Sequence, residues 1–144
     1  MNPIDSRIIE FIKEHHVLTI ATSVNNSPHC ANCFYAYSEK DNVFIFTSDI
    51  DTKHGADFSK NPKVGGSIVL ETKTIGKIQG IQFNGIIKKT EGDELKTAKK
   101  LYLKAFPYAV LMKTTLWSLD LTFIKMTHNK LGFGKKLIWQ NSDD

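Results

Sequence analysis

The chain has 144 residues, of which 41% are hydrophobic and 24% charged, with a formal net charge of +4. This length suits one domain, and the composition excludes a disordered or fibrous protein. The positive charge favours an anionic partner such as a phosphate-bearing cofactor, an acidic substrate or a nucleic acid.

The N-terminal segment is predicted to form a helix over about residues 3–15. Asn2 is suited to cap this helix, with Pro3 at its first position. Apolar residues recur at helical spacing at Ile4, Ile8, Phe11 and Ile12. Charged residues interrupt this stripe, so the segment lacks the core of a signal peptide, and no segment approaches the roughly 20 apolar residues of a membrane span. We therefore expect a cytoplasmic protein without membrane contact.

The central part of the chain is rich in predicted strands. Three strands are predicted first, VLTIATSV, HCANCFYAYS and VFIFTSD, separated by the turn signals NNSP and EKDN. A short helix or turn is predicted next, TKHGADFSKNP. KVGGSIVLET and GIQFNGIIKKTE form two more strands. A helix follows from Gly92 and stops at Pro107, before the strands LWSLDLTFIKMT and KLIWQ. The connections are mostly too short for parallel crossovers, which predicts an antiparallel barrel with peripheral helices in one domain, residues 1–144.

Both cysteines lie in HCANCFYAY, spaced as C-x-x-C. In a strand, Cys30 and Asn32 face one side while Ala31 and Cys33 face the other, so the thiols point apart. A redox pair requires a helix N-terminus and a structural zinc site requires about four converging ligands. We therefore expect reduced thiols and no metal site. A site assembled in three dimensions with His15, His16 or His29 is the alternative.

Four pieces of the sequence carry a family resemblance: HCANCFYAY, FTSDIDTKHGADFSKNPKV, GIQFNGIIKKTEGDE and LGFGKKLIW. Together they resemble the YhbP-like branch of the pyridoxamine 5'-phosphate oxidase-like, FMN-binding split-barrel superfamily. The resemblance implies a mainly β fold, a six-stranded antiparallel split barrel of Greek-key type. It also implies a homodimer with FMN sites between the subunits.

The resemblance places the flavin phosphate after the third strand, at Thr47, Ser48, Thr52 and Lys53. Hydroxyls, a cation and the free N–H groups of a helix start suit a phosphate. The alternative is a strand end followed by a helix that Thr52 caps.

The resemblance places the flavin ring along the second strand and near the C-terminal hairpin. Backbone groups near Ala31, Asn32 and Cys33 would bind the pyrimidine edge of the ring, unless Asn32 is only a polar residue at the edge of the core. Lys135 and Lys136, beside glycines that permit close approach, would stabilise negative charge on the ring, and Trp139 would pack against it. The alternative is a solvated hairpin.

Two departures limit what the resemblance implies. Pyridoxamine phosphate oxidases carry basic residues on the second strand, whereas this strand has none between His29 and Lys40. Their substrate helix carries Tyr, Arg and Ser, whereas GDELKTAKKLYLKAFPY has neither Arg nor Ser. We therefore expect FMN as the cofactor but not oxidation of pyridoxamine phosphate. The lysines of this helix are expected to form a solvent-exposed face.

The function expected from the sequence is a flavin-dependent oxidoreductase acting on an unspecified small molecule. No residue lies in a sequence pattern that is typical of a catalytic acid or base. A noncatalytic flavin carrier or sensor is one alternative. Another is a split barrel that binds haem through a histidine, the candidates being His15, His16, His29, His54 and His128. Nucleic-acid binding is not expected, because no basic stretch is interleaved with aromatic residues.

Overall fold

The structure is a computed structural model that describes residues 2–111 and 115–142. The helices are α1 (Ser6–Glu14), α2 (Lys53–Lys60) and α3 (Gly92–Ala105). The strands are β1 (Val17–Val24), β2 (Ser27–Ser38), β3 (Val43–Thr47), β4 (Lys63–Val69), β5 (Gln79–Lys89), β6 (Leu116–His128) and β7 (Lys136–Gln140). The mainly β class predicted from the sequence is confirmed.

The strands form one antiparallel sheet in the order β3-β2-β1-β4-β5-β6-β7. An additional pairing of β3 with β6 closes the first six of these strands into a ring. Strand β7 is a seventh strand, one more than the six implied by the resemblance, and it extends the sheet beyond the ring. The pairs β1–β2, β2–β3, β4–β5 and β6–β7 are joined by connections too short for a parallel crossover, and the pairs with longer connections are antiparallel as well.

The barrel is split along one edge of β6. The first part of that edge pairs with β3 as far as Asp120, and the last part pairs with β7 from Phe123 onward. Because β6 is 13 residues long, β3 and β7 pair with opposite ends of the same strand. The first part of β2 is paired on one edge only: Ser27–Phe34 pairs with β1, and β3 pairs with the other edge only from Tyr35 onward.

Helix α1 begins later than the sequence predicts. Its N-cap is Asp5, whose carboxylate accepts the Arg7 N–H at 2.9 Å and is also bound by the Arg7 side chain. These contacts lower the pKa of Asp5 to about 2. Asn2, the predicted cap, instead donates from Nδ2 to the Gln140 carbonyl at 3.2 Å. The prediction of Asn2 as the cap was wrong because Asp5 offers the better acceptor one turn later.

The barrel interior is filled by aromatic and branched side chains. The fully buried members include Phe44, Phe46, Leu119 and Ile124. A second cluster packs α3 against the outside of the sheet, with Tyr102 and Phe106 on Ile45 and Leu116. Within the described ranges, no helix has the length and apolar content that crossing a membrane would need.

Candidate functional site

The turn between β3 and α2 is fixed by the capping residue Thr52. Its Oγ1 accepts the Gly55 N–H at 3.1 Å and donates to the Asp49 carbonyl at 2.7 Å. A Cβ atom at Gly55 would lie 2.3 Å from the Asp49 carbonyl oxygen, so only glycine allows the turn to pack this closely on the helix. The predicted role of Thr52 as the N-cap is confirmed. This role does not decide whether Thr52 also binds a phosphate.

Ser48 is held on the barrel wall just before this turn. Its carbonyl accepts the indole N–H of Trp117 at 3.0 Å, and its own N–H donates to the Thr115 carbonyl at 3.1 Å. Its hydroxyl oxygen lies 3.3 Å from Thr52 Oγ1 and is hydrogen-bonded to Nε2 of His54. Ser48, Thr52 and His54 thus form one group, which we call the hydroxyl–imidazole cluster.

Backbone groups add to the donors of this cluster. The N–H groups of Lys53 and His54 belong to the first turn of α2 and have no partner within the helix. They carry the positive end of the helix dipole. The start of α2 therefore combines hydroxyl, imidazole and backbone donors.

Lys53 lies next to the cluster, but its charge is already paired. Its Nζ contacts the two carboxylate oxygens of Asp57 at 3.1 and 3.3 Å. Asp57 is buried and also accepts the Thr22 hydroxyl at 2.8 Å. Hydrogen bonds from Thr22 and then from Lys53 lower the pKa of Asp57, so it is a carboxylate at neutral pH.

Two histidines face each other beside this ion pair. The rings of His29 on β2 and His54 on α2 are nearly parallel, at 14°, with centroids 6.3 Å apart. His29 is brought here by its pairing opposite Thr22 in the β1–β2 ladder. Burial, and then the proximity of His29, lower the pKa of His54, while Asp57 raises it. The net effect on the pKa favours the neutral imidazole of His54.

The predicted alternation of β2 is confirmed. Cys30, Asn32 and Phe34 are exposed, whereas Cys33 is buried in the core. Burial raises the pKa of the Cys33 thiol to about 11, so it is protonated and unsuited to act as a nucleophile at neutral pH. Asn32 Oδ1 accepts the Thr19 hydroxyl at 2.9 Å, and Ala31 is half-buried.

Thr47 ends β3 directly before the cluster. It pairs with Leu116 in the β3–β6 ladder and is half-buried. The hydroxyl of Tyr102 on α3 faces it: burial raises the pKa of Tyr102, and a hydrogen bond with Thr47 opposes that rise. Thr47 therefore connects the turn to α3.

The C-terminal residues suggested by the sequence do not join this group within one chain. Lys136 pairs with Thr127, whereas Thr47 pairs with Leu116, so β6 separates them by roughly 36 Å at about 3.3 Å per residue. Lys135 and Lys136 are exposed, and Lys136 Nζ donates to the Thr127 hydroxyl at 3.1 Å. Trp139 is buried and its indole N–H donates to the Asn2 carbonyl, so it does not provide an exposed wall for a ring.

The sequence pattern did not indicate how His29, His54, Asp57 and Thr22 come together. The sequence named His29 and His54 as candidate haem ligands, and His29 also as a candidate for a metal site with the cysteines. The Lys53–Asp57 spacing of four residues is a helical ion-pair signal, but their contacts with β1 and β2 depend on strand register, which no local pattern reveals. Two hollows of about 600 and 620 Å³ lie under α3 and over β1, β4 and β5, and the lining of the second includes Thr22, whose hydroxyl binds Asp57.

A family model described as pyridoxamine 5'-phosphate oxidase matches residues 4–132. The chain belongs to the pyridoxamine 5'-phosphate oxidase family. A UPF0306 protein of Photorhabdus laumondii is 41% identical to it over 133 residues, which cover 92% of this chain and 93% of that relative. The resemblance stated from the sequence is thereby confirmed.

Solved structures of this family's split-barrel type share the fold. A heme binding protein from Mycobacterium smegmatis superposes with a TM-score of 0.75 at 18% identity, covering 90% of this chain and 54% of that one. This chain thus spans about half of that longer protein. A FAD-binding protein from Mesorhizobium loti gives a TM-score of 0.71 at 10% identity, covering 86% of this chain and 94% of that one. At these identities the likeness concerns the fold alone.

Proposed function

We propose that the protein binds FMN, with the phosphate at the hydroxyl–imidazole cluster, and works as a flavin-dependent oxidoreductase on a small molecule. The observation that carries this proposal is the meeting of Ser48, Thr52 and His54 at the start of α2. Family membership supports a flavin, and the FAD-binding relative in fold agrees with that class of cofactor.

The donor set fits a phosphate monoester. Phosphate oxygens accept hydrogen bonds from hydroxyls, from imidazole and from the free N–H groups of a helix start. All three kinds of donor converge here, and Ser48 is held from both sides by Trp117 and Thr115. A phosphate would replace the bond from Thr52 to the Asp49 carbonyl and the bond between Ser48 and His54, whereas the N–H groups of Lys53 and His54 have no partner within the helix.

The neighbouring part of β2 suits the flavin ring. Ser27–Phe34 pairs with β1, and β3 does not extend along it. Its second edge, near Ala31, Asn32 and Cys33, thus offers backbone donors and acceptors for the pyrimidine edge of the ring. When bound, FMN supplies hydride chemistry, while these residues orient it and set the electrostatics around it.

We also propose that the active form is a homodimer with its ligand sites between subunits. Lys135 and Lys136 are too far from the cluster of their own chain to contribute. A second copy is the means by which they would reach a bound ring. Several exposed apolar side chains on the outside of the barrel support such an interface, namely Val17, Phe34, Ile86 and Ile138.

The test is a visible absorption spectrum of the purified protein, followed by titration with FMN and with riboflavin. We expect saturable FMN binding, tighter than riboflavin binding, and a roughly tenfold loss of FMN affinity in Ser48→Ala. Riboflavin affinity should change little in that variant. Lys96→Gln, on the exposed face of α3, is the matched control. Absence of saturable binding of either flavin would refute the proposal.

Haem is the second candidate, because the Mycobacterium smegmatis relative in fold is a heme binding protein. A Soret band that appears on haem addition and disappears in His29→Ala or His54→Ala would favour it. A noncatalytic carrier is distinguished differently: it would bind FMN, yet the bound flavin would not be reduced by NADH or NADPH without oxygen.

A further inference from the structure

The proposed phosphate site lacks an unpaired permanent cation among the described residues around the turn. A phosphate monoester carries a charge of about −1.5 to −2 at pH 7. Lys53 is paired with Asp57, and the second strand has no Lys or Arg between His29 and Lys40. Asp49 and Asp51, in the turn itself, add negative charge. The site therefore needs positive charge from another source.

We infer that His54 supplies this charge, with His29 beside it as a second hydrogen-bond donor, so that the protein binds the dianionic phosphate of FMN with uptake of a proton. This inference rests on the proposed function and extends it to two residues and a pH dependence. It also explains how FMN binds without the basic residues of the second strand.

The geometry supports a joint role for the two rings. His54 lies within the cluster through its hydrogen bond to Ser48, and His29 lies across from it with the ring planes 14° apart. Both side chains are half-buried, so a ligand can reach them. Since the rings come from β2 and α2, a phosphate at the cluster would contact both elements.

The charges around His54 determine the direction of the effect. It faces His29 on β2, Asp57 and Lys53 on α2, and the turn carries Asp49 and Asp51. Without a ligand, burial and the neighbouring His29 keep the pKa of His54 below its ordinary value, and Asp57 opposes this only in part. A phosphate dianion at the cluster would add an opposite charge and raise that pKa.

The sign of the pH dependence follows from linkage. Between the lowered value in the free protein and the raised value in the complex, binding takes up a proton, so affinity increases as pH falls. The increase ends near pH 6, because the phosphate itself is protonated there and loses charge. We expect FMN to bind about tenfold more tightly at pH 6.5 than at pH 8.0. Riboflavin, which has no phosphate, should show no such change.

The experiment is calorimetric titration of FMN and riboflavin at pH 6.5, 7.2 and 8.0, in two phosphate-free buffers of different ionisation enthalpy. The variants are His54→Gln and His29→Gln, since glutamine retains a donor but cannot be protonated. His16→Gln is the control, because His16 lies before β1, roughly 20 Å along the strand from the position opposite His29.

The expected result is proton uptake with FMN in the wild-type protein and in His16→Gln, and a pH-independent affinity when both cluster histidines are replaced. FMN binding that is equally tight at all three pH values, without proton uptake, would overturn the inference and leave the proposed function standing. Absence of saturable FMN binding at every pH would overturn both.

A second measurement avoids substitutions. The histidine Cε1–H resonances of the wild-type protein are followed by NMR as inorganic phosphate is added at pH 7.0. The resonance assigned to His54 should move toward the protonated position, and the resonances of His15 and His16 serve as internal references. If phosphate does not move the His54 resonance, the inference is wrong.

Discussion

Asp57 is a buried carboxylate whose contacts connect α2 to β1. The Thr22 hydroxyl and the Lys53 ammonium bind its ionised form, which is why its pKa is lowered. This stabilisation is complete above the ordinary Asp value of about 3.9 and is lost as pH falls through the lowered value. We therefore expect Asp57→Asn to unfold more easily than the wild-type protein at pH 7, with the difference shrinking below about pH 4.

Urea unfolding midpoints between pH 2.5 and pH 7 would measure this difference. Asp51→Asn is the control, because Asp51 is an exposed carboxylate in the neighbouring turn. A constant gap between Asp57→Asn and wild type over the whole range would show that ionisation of Asp57 does not stabilise the fold.

At the scale of elements, the turn 48–52 and helix α2 act as one unit because Gly55 has no side chain. In Gly55→Ala the new Cβ would meet the Asp49 carbonyl oxygen at 2.3 Å, so the turn must move away from the helix. We expect a loss of about 1–3 kcal/mol in unfolding free energy, typical of an overpacked position. FMN affinity should fall as well, since the turn carries Ser48 and Thr52.

Gly76→Ala is the matched control for this substitution. No atom lies within 4 Å of a Cβ at Gly76, and we expect its unfolding free energy to change by less than about 0.5 kcal/mol. Chemical denaturation compares the two variants. Equal stabilities for Gly55→Ala and Gly76→Ala would show that the turn adapts without cost.

The elements were predicted from the sequence where the signal is local. Thr52 before an amphipathic stretch indicated the cap of α2, and alternation along β2 indicated that the two thiols point to opposite sides. The start of α1 was misplaced because the capping bond from Arg7 N–H to the Asp5 carboxylate was not anticipated. The facing of His29 and His54 was not predictable, because it depends on the register of Thr22 with His29 and on the packing of α2.

At the scale of the whole molecule, the outer barrel surface bears on the oligomeric state. Val17, Phe34, Ile86 and Ile138 point outward from their strands and are exposed. Burial of such side chains drives association. We expect sedimentation velocity to give about twice the 16.3 kDa mass of one chain. Ile86→Lys should shift the protein toward the monomer, and Ile75→Lys, on the 3-10 turn 75–77, should not. A wild-type monomer at micromolar concentration would refute the dimer.

A shared site makes a stronger prediction about the dimer. The cluster and Lys136 lie at opposite ends of β6, so each FMN site would combine Ser48 of one chain with Lys136 of the other. Ser48→Ala and Lys136→Gln should each weaken FMN binding in homodimers. In a heterodimer of the two variants, one site carries both substitutions and the other carries neither.

The heterodimer should therefore bind one FMN per two chains with wild-type affinity. Differently tagged chains, refolded together and purified by both tags, would provide it for fluorescence titration. If the sites lie within single chains, each site of the heterodimer retains one defect and no tight site appears. That outcome would refute the shared site, because Ser48 and Lys136 would then act within one chain. A Lys136→Gln homodimer that binds FMN as tightly as the wild type would instead assign Lys136 to the surface.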